Sequence, residues 1–292
     1  MSWRVALRLG RVSNLPTVWT NALAGIVLAG GSVFEPWTLP LVVALSLFYT
    51  AGMYLNDAFD AGIDALERPE RPIPAGLVSA ETVFAAGFGM MAVGLGVLLW
   101  VGYGVPGGTG IGPVFGGLGL GAAIVLYNRR HKGNPWSPVL MGLCRVLVYV
   151  TAGLAVASEL PGALRTGALM LLCYLIGLTY VAKQETLGEV RNLWPLLFLA
   201  APVVYGLSVV IREPTGIGAV MLAIFSAWIG VALWFLRRRQ PGDVPHAVVS
   251  LIAGISLLDA LLIAGAGAAG VAWLAVAGFG LTLAGQRFVA GT

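Results

Sequence analysis

The chain has 292 residues, of which 58% are hydrophobic and only 10% are charged. Soluble globular domains carry about 25% charged residues, so this composition excludes an ordinary soluble domain and predicts an all-α, polytopic membrane protein. The formal net charge is +4, but no basic groove with interleaved aromatic residues accompanies it, and we therefore expect no nucleic-acid partner.

Ten apolar segments follow one another along the chain, each close to the roughly 20 residues that a helix needs to cross a bilayer. They are residues 14–32, 38–56, 80–104, 110–127, 138–157, 164–182, 194–211, 216–236, 246–265 and 270–287. The last two almost touch, so nine spans with a long final element remain an alternative to ten. No linker or charged tail separates a further module, and we expect residues 1–292 to form a single domain.

The basic residues predict the orientation of these segments. If the amino terminus is cytoplasmic and the spans alternate, all but three of the 17 Lys and Arg residues fall on the cytoplasmic side. The exceptions are Arg165 and Arg212 on the outer side and Arg145 within a span. This asymmetry predicts an inner-membrane protein whose amino terminus and polar loops, after the second and sixth spans, face the cytoplasm.

Three carboxylates lie just beyond the second apolar segment, where Asp57, Asp60 and Asp64 are spaced at i, i+3 and i+7. If the preceding helix continues, these side chains share one face. Neighbouring carboxylates repel one another unless a positive partner offsets them, and their hard oxygens favour Mg²⁺. The pattern predicts a Mg²⁺ site that carries a phosphorylated ligand, with Arg71 nearby; the alternative is a solvated helix end.

A second polar loop follows the sixth segment and contains Lys183, Glu185 and Glu189. The two glutamates are four residues apart and share a face if the loop is helical. Both polar loops lie on the same side in the predicted topology. We therefore expect the two acidic clusters to converge across one cavity between the helices.

Strongly polar residues inside the apolar segments are costly in lipid and are candidates for function. Asn21 and Arg145 each lie about eight residues, roughly 12 Å, from the cytoplasmic start of their segments, which predicts that both reach one level of the cavity. Arg145 is expected to hold a diphosphate, or alternatively to pair with a carbonyl or with Asp259. Asp259 lies roughly 20 Å up its own segment, too far for the metal site, and is expected to be structural or to line an outer vestibule.

Aromatic residues frame the same region, and most of them are expected to serve packing or to lie at the membrane interface. Tyr54 and Tyr180 lie nearest the two acidic loops. Because ring faces can stabilise a carbocation, these two tyrosines are the aromatic candidates for a role in substrate binding or catalysis.

The residues from Asn56 to Asp64 read NDAFDAGID and resemble the NDxxDxxxD motif of the UbiA superfamily of intramembrane prenyltransferases. The segment from Arg68 to Gly76 is similar to the RPxRP segment of that family. The resemblance implies a helical bundle around a central cavity open to the cytoplasmic side, in which two acidic motifs bind Mg²⁺ and a prenyl diphosphate. It places Asn56, Asp57, Asp60 and Asp64 in the first motif, and Arg68 and Arg71 at the positions of the loop arginines.

The second motif departs from the family pattern, because Glu185 and Glu189 stand where relatives usually carry aspartates. Both can still offer hard oxygens to Mg²⁺. Lys183 adds a positive charge beside them and is expected to neutralise the diphosphate directly, which would leave a single metal ion. The altered motif and the opening Asn14-Leu15-Pro16-Thr17 also resemble the Ebo-type branch of the family, which is found in secondary-metabolite gene clusters.

The implied function is Mg²⁺-dependent transfer of a prenyl group from a prenyl diphosphate to a small, aromatic or lipophilic acceptor within the membrane, with the prenyl tail extending toward membrane lipid. The residues and the resemblance together predict catalytic roles for Asp57, Asp60, Asp64, Lys183 and Tyr180, substrate contacts for Asn21, Asn56, Arg68, Arg71, Arg145 and Tyr54, and metal ligation by Asp57, Asp60, Asp64, Glu185 and Glu189. Two alternatives remain open. A catalytically degenerate subunit that binds prenyl lipid is favoured by Lys183 beside Glu185, and a transporter of an anionic substrate is favoured by polar residues inside the membrane.

Overall fold

A computed structural model of the chain describes residues 1–184, 194–289 and 291. Regular secondary structure within these residues is entirely helical, which confirms the predicted all-α bundle. The α-helices are α1 (Trp3–Leu9), α2 (Leu15–Leu28), α3 (Thr38–Glu67), α4 (Ala80–Tyr103), α5 (Gly112–Arg130), α6 (Ser137–Leu154), α7 (Gly162–Lys183), α8 (Ala200–Arg212), α9 (Gly216–Arg238), α10 (Asp243–Gly265) and α11 (Ala269–Gln286). Short 3₁₀ helices, Val12–Asn14 and Trp194–Leu199, precede α2 and α8.

Helices α2 to α11 coincide one for one with the ten predicted apolar segments. Within the described residues, 8 helical stretches are long and apolar enough to cross a membrane, and α2 and α5 are not among them. The last two predicted segments form separate helices, because Gly267, with a φ of 83°, turns the chain between α10 and α11. The number of spans and the side of the membrane that the cavity faces stay predictions.

Helix α3 runs well past its predicted end. The apolar pattern ends at residue 56, but the helix continues to Glu67 and has 30 residues. At a rise of about 1.5 Å per residue it is about 45 Å long, which exceeds the roughly 30 Å hydrocarbon core. Asp57, Asp60 and Asp64 therefore lie on the continued helix, which is the condition for a shared face, and the polar loop begins only at Arg68.

Helix α10 forms the centre of the bundle. It packs against α2, α7, α8, α9 and α11, and most of its residues are buried. A helix that is apolar on all sides belongs inside a bundle rather than at its surface. The apolar cluster around it includes Leu171, Phe225 and Leu258.

A second apolar cluster surrounds α3 and includes residues of α4 and α5. Helices α2 and α6 contribute to both clusters and approach each other closely at Gly25, where an added Cβ would lie 2.8 Å from the carbonyl oxygen of Tyr149. Small residues permit such close contact between membrane helices. Helices α2 and α6 therefore lie side by side between the two clusters, and their polar side chains come into contact there.

Two segments fold over the polar end of α3. Leu9 and Tyr54 belong to a small apolar cluster that holds α1 against α3. The loop after α3 turns back at Gly76, whose φ of 72° lies in the left-handed region that favours glycine. These segments bring two basic side chains, Arg11 and Arg71, to the carboxylates of α3.

Candidate active site

A cavity of about 790 Å³ lies between α2, α3, α5, α6, α7 and α10. Most of its polar lining comes from the carboxyl-terminal ends of α3, α5 and α7, from adjoining loops and from the start of α6, namely Arg11, Asn56, Asp60, Glu67, Arg68, Arg71, Asn128, His131, Lys132, Ser137 and Lys183. Asn14, Arg145 and Thr179 also line the cavity. Its apolar lining comes from inner turns of the helices, namely Val18, Leu120, Ile124, Val148, Leu175, Leu178, Val248, Ile252 and Ile255. The cavity therefore has a charged end and a mainly apolar interior, into which Arg145 brings one charged side chain.

The predicted acidic motif is folded onto one face of α3. Nη1 of Arg71 lies 2.7 Å from Oδ2 of Asp64 and 3.3 Å from Oδ1 of Asp57, so one nitrogen bridges both carboxylates. Asp57 is 6% exposed, Asp60 5% and Asp64 1%. The alternative of a solvated helix end is therefore wrong, and cationic partners offset the repulsion between these acids.

Arg11 is a partner of the motif that the sequence did not single out. Nη2 of Arg11 lies 3.2 Å from Oδ1 of Asp57 and donates to Oδ1 of Asn56 at 3.3 Å. Its backbone φ is 42°, in the left-handed region that residues other than glycine rarely adopt. This turn, between α1 and the 3₁₀ helix that precedes α2, aims the side chain at α3.

The carboxyl-terminal end of α5 supplies further partners. Nε2 of His131 lies 3.3 Å from Oδ2 of Asp60, and the His131 ring stacks on Tyr127 with 5.0 Å between ring centroids. Nδ2 of Asn128 donates to the carbonyl of Gly52 at 3.0 Å, and its Oδ1 accepts from Nδ2 of Asn56 at 3.3 Å. Asn128 and His131 are three positions apart at the end of an apolar segment, and this spacing was the only signal in the sequence. It does not identify their partners on α3.

Lys183 lies on the α7 side of the cavity. Its Nζ donates to the carbonyl of Asn134 at 2.8 Å and to Oγ of Ser137 at 3.0 Å. Both partners are neutral, and Lys183 forms no ion pair with any carboxylate in the described part of the chain. Glu185 and Glu189 lie outside the described residues, so their predicted contact with a metal stays a prediction.

Arg145 and Asn21 meet inside the bundle, as their matching depths predicted. Nη1 of Arg145 donates to Oδ1 of Asn21 at 3.1 Å, and Nη2 donates to Oγ1 of Thr17 at 3.0 Å. Nδ2 of Asn21 donates to the carboxylate of Asp259, at 2.8 Å from its nearer oxygen, and the Tyr149 hydroxyl donates to the same carboxylate.

These contacts revise the interpretation of the intramembrane residues. Asn21 and Asp259 are both fully buried, and neither lines the cavity. Asp259 thus has a structural position rather than one in an outer vestibule. It is linked to Arg145 through the amide of Asn21, not by direct pairing. Both ends of that amide are occupied, so the structure offers no free group of Asn21 for the substrate contact that the sequence predicted.

The aromatic side chains at the cavity are not the predicted ones. Tyr54 is 5% exposed and donates its hydroxyl to the carbonyl of Ala6 at 3.2 Å, and Tyr180 packs against the apolar cluster around α10. The rings that line the cavity belong to Tyr49 and Tyr127. Neither Tyr54 nor Tyr180 is among the residues that line the cavity. Distance along the chain could not show this, because it does not define which face of a helix a ring occupies.

The carboxylates of α3 are the candidate donors for a metal ion. Among the described residues no group of three or more His, Cys, Asp and Glu side chains comes together as a metal cluster. The carboxylates of Asp57 and Asp64 nevertheless face one cationic nitrogen of Arg71. Hard carboxylate oxygens directed at a single positive position are the donors that Mg²⁺ prefers, so these residues fit that ion.

Known proteins resemble this chain in sequence and in fold. Residues 18–249 match the UbiA prenyltransferase family. A digeranylgeranylglyceryl phosphate synthase of Methanopyrus kandleri is 29% identical over 267 residues, which cover 90% of each chain. The apo structure of a UbiA homologue from Aeropyrum pernix K1 is similar with a TM-score of 0.66 at 17% identity, covering 87% of this chain and 97% of that one.

A UbiA homologue from Archaeoglobus fulgidus, solved with GPP and Mg²⁺, has a TM-score of 0.61 at 16% identity and covers 91% of this chain and 99% of its own. At such identities the solved structures show a common fold. The narrower resemblance to the Ebo-type branch stays a prediction. Since the family match covers most of the chain and includes the acidic motif of α3, the chain belongs to the UbiA prenyltransferase family.

Proposed function

We propose that this integral membrane protein transfers a prenyl group from a prenyl diphosphate to a lipophilic acceptor, with Mg²⁺ as cofactor. The observation that carries the proposal is the distribution of polar and apolar side chains in the cavity, which joins a charged end to a mainly apolar interior. A ligand with an anionic head and an isoprenoid tail matches both parts. The volume of about 790 Å³ lies within the range of roughly 300–1,000 Å³ that small-molecule sites occupy.

Basic side chains from two walls of the cavity hold the diphosphate. Arg68 and Arg71 approach from the loop after α3, and Lys183 approaches from the end of α7. The described partners of Lys183 are neutral oxygens, so its positive charge is available to a phosphate oxygen. Charge-assisted hydrogen bonds of this kind are among the stronger polar contacts in proteins.

Asp57, Asp60 and Asp64 would hold the metal, with Glu185 and Glu189 as further proposed ligands. When bound there, Mg²⁺ supplies a positive charge that stabilises the leaving diphosphate. Arg71 directs the carboxylates of Asp57 and Asp64 toward one position, Arg11 pairs with Asp57, and Asp60 contacts His131 beside them. The number of metal ions stays a prediction, because the second motif carries glutamates and Lys183 in place of the usual aspartates.

The reaction itself needs an apolar, dry pocket. The bond between the allylic carbon and the diphosphate oxygen breaks with its electron pair on the oxygen, and the resulting allylic cation is captured by a nucleophile of the acceptor, which then loses a proton. The apolar wall limits capture by water. The rings of Tyr49 and Tyr127 line the cavity and offer their faces to the positive charge.

The name of a relative suggests one class of acceptor. The relative from Methanopyrus kandleri is named a digeranylgeranylglyceryl phosphate synthase, so a hydroxyl group on a prenylated glyceryl phosphate is the first acceptor to test. Aromatic acceptors, which the sequence also allows, form the second group. We place the protein in the inner membrane with its acidic motif facing the cytoplasm, as the distribution of basic residues predicts.

The test is diphosphate release by the purified protein with geranyl, farnesyl or geranylgeranyl diphosphate, with and without Mg²⁺, over a panel of both acceptor groups. Asp60→Asn should abolish metal-dependent release because it removes one proposed ligand charge. Glu81→Gln, which removes an exposed carboxylate at the start of α4, should leave the rate unchanged. Wild-type release by the Asp60→Asn variant would contradict the proposal, and binding of donor without release by the wild type would favour a catalytically inactive lipid-binding subunit.

A further inference from the structure

A groove of about 540 Å³ runs along the outer face of the bundle between α4 and α5. Met91 and Leu95 of α4 form one wall, α5 forms the other, and Phe48 of α3 lies at the floor. Arg129 and Arg130, the last two residues of α5, lie at one end. The groove thus combines apolar walls, which we call the trough, with two guanidinium groups at one end.

This groove is separate from the candidate active site. Leu120, Ile124 and Asn128 of α5 line the active cavity, whereas Ala122 and Val125 line the groove. The two sites therefore lie on different faces of the same helix. A ligand in the groove does not overlap a prenyl diphosphate in the cavity.

Glycines shape the trough. At Gly117 an added Cβ would lie 2.4 Å from Cδ1 of Leu98, so α4 and α5 are in close contact at that level. At Gly121 an added Cβ would lie 3.5 Å from Cε1 of Phe48 and 3.9 Å from Sδ of Met91, which is ordinary contact distance. The absence of a side chain at Gly121 therefore leaves room for a ligand without being needed for helix packing.

The two arginines carry charge that the described residues do not offset. Arg129 and Arg130 are exposed, and neither forms an ion pair in the described part of the chain, whereas the nearby Lys132 lies 3.8 Å from Glu67. They lie at the polar end of the bundle, since the next residue, His131, contacts Asp60. Unpaired arginines at the membrane boundary attract anionic lipid head groups.

The length of the groove fits one leaflet of a bilayer. Gly117 and Arg130 are about 20 Å apart along α5, and half of the hydrocarbon core is about 15 Å thick. We propose that the groove binds one anionic phospholipid, with an acyl chain along α5 and the phosphate group on Arg129 and Arg130. Leu118 and Leu126 of the same wall are 49% and 42% exposed, so the trough is open to a lipid entering sideways.

Native mass spectrometry of the purified protein tests the proposal, with phosphatidylglycerol and phosphatidylcholine of identical acyl chains as probes. The wild type should bind phosphatidylglycerol about thirtyfold more tightly, because each basic side chain near an anionic lipid contributes a factor of about five. Arg129→Gln with Arg130→Gln should remove this preference. Arg4→Gln with Arg237→Gln, which removes two exposed charges elsewhere, should keep it, and equal loss in both double variants would overturn the proposal.

The acyl chain is tested separately. Gly121→Leu fills the trough at a position where a side chain fits, so it should weaken both lipids alike while the protein stays folded. Unchanged lipid binding by this variant would show that the chain does not lie in the groove. Glycerol 3-phosphate and geranylgeranyl diphosphate serve as competitors: displacement of phosphatidylglycerol by the first would indicate a simple phosphate site, and displacement by the second a substrate site, and either would overturn the assignment.

Discussion

Arg145 is the residue whose replacement tests the buried polar network most directly. Arg145→Met keeps an unbranched side chain but removes the donors to Asn21 and Thr17 and the positive charge that offsets Asp259. Loss of one member of a buried ion pair costs about 3–5 kcal/mol. Because Asn21 separates the two charges here, we expect the lower end of that range, about 3 kcal/mol. At about 2–4 °C per kcal/mol, the value for chains of about 150–250 residues, the melting temperature should fall by about 6–12 °C.

Thermal unfolding in one detergent, followed by tryptophan fluorescence, measures this effect within a double-mutant cycle. Asp259→Asn removes the opposite charge, so the double variant no longer contains an unbalanced buried ion. It should be more stable than the sum of the two single changes by at least about 1 kcal/mol. Arg212→Met, at an exposed position at the end of α8, should shift the melting temperature little. Strict additivity of Arg145→Met and Asp259→Asn would refute the coupling through Asn21.

Three further predictions concern the cavity and its walls. Lys183→Gln keeps neutral hydrogen bonding but removes the charge, so the dissociation constant of a prenyl thiolodiphosphate should rise at least about tenfold by isothermal titration; an unchanged constant would exclude a direct contact. Gly25→Val would force α2 away from α6 and should destabilise the protein by about 2 kcal/mol. Gly230→Val is the control, because an added Cβ there meets nothing within 4 Å, and it should leave the stability nearly unchanged. Val148→Phe narrows the apolar interior and should lower turnover of geranylgeranyl diphosphate relative to geranyl diphosphate about tenfold, and an unaltered ratio would place the prenyl tail elsewhere.

The positions of the helices followed from the sequence because the bilayer imposes a common length on every apolar segment. The end of α3 did not follow, because the apolar pattern ends at residue 56 while the helix continues to Glu67. Asp57 and Asp64 remain buried in that helix because Arg71 contacts both carboxylates. The hydropathy pattern cannot predict this contact, because Arg71 reaches the helix only when the following loop folds back onto α3.

The acidic motif was predictable for a local reason, since the spacing of Asp57, Asp60 and Asp64 alone places them on one helical face. Its partners Arg11 and His131 were not, because they come from segments far away in sequence and meet α3 only in the folded bundle. The same distinction explains the tyrosines. Sequence distance from the acidic loops selected Tyr54 and Tyr180, whereas the rotation of each helix decides which rings reach the cavity.

The depth of a residue along its helix predicted side-chain contacts better than proximity in sequence did, but only for helices that start at the same level. Counting residues placed Asn21 and Arg145 at the same level, and their side chains are 3.1 Å apart. The same counting placed Asp259 about 8 Å further up, yet its carboxylate contacts Asn21. Counting assumes that all helices start in one plane, and the contact shows that α2 and α10 do not share that origin.

The charged groups of the cavity lie at two depths: Arg71 and Lys183 are at the charged end, and Arg145 is further inside. This difference in depth bears on the role predicted for Arg145. The guanidinium of Arg145 lies 5.3 Å from the ring centroid of Tyr49, and Tyr49 precedes Asn56 by about two turns, or about 10 Å, along α3. A diphosphate held at the acidic motif would therefore lie about 10 Å along α3 from the level of Arg145. Under the proposed function, the leaving group lies at the charged end with Lys183 and Arg71. Arg145 lines the inner cavity with its charge offset through Asn21 and Asp259, and we propose that it meets the acceptor rather than the diphosphate.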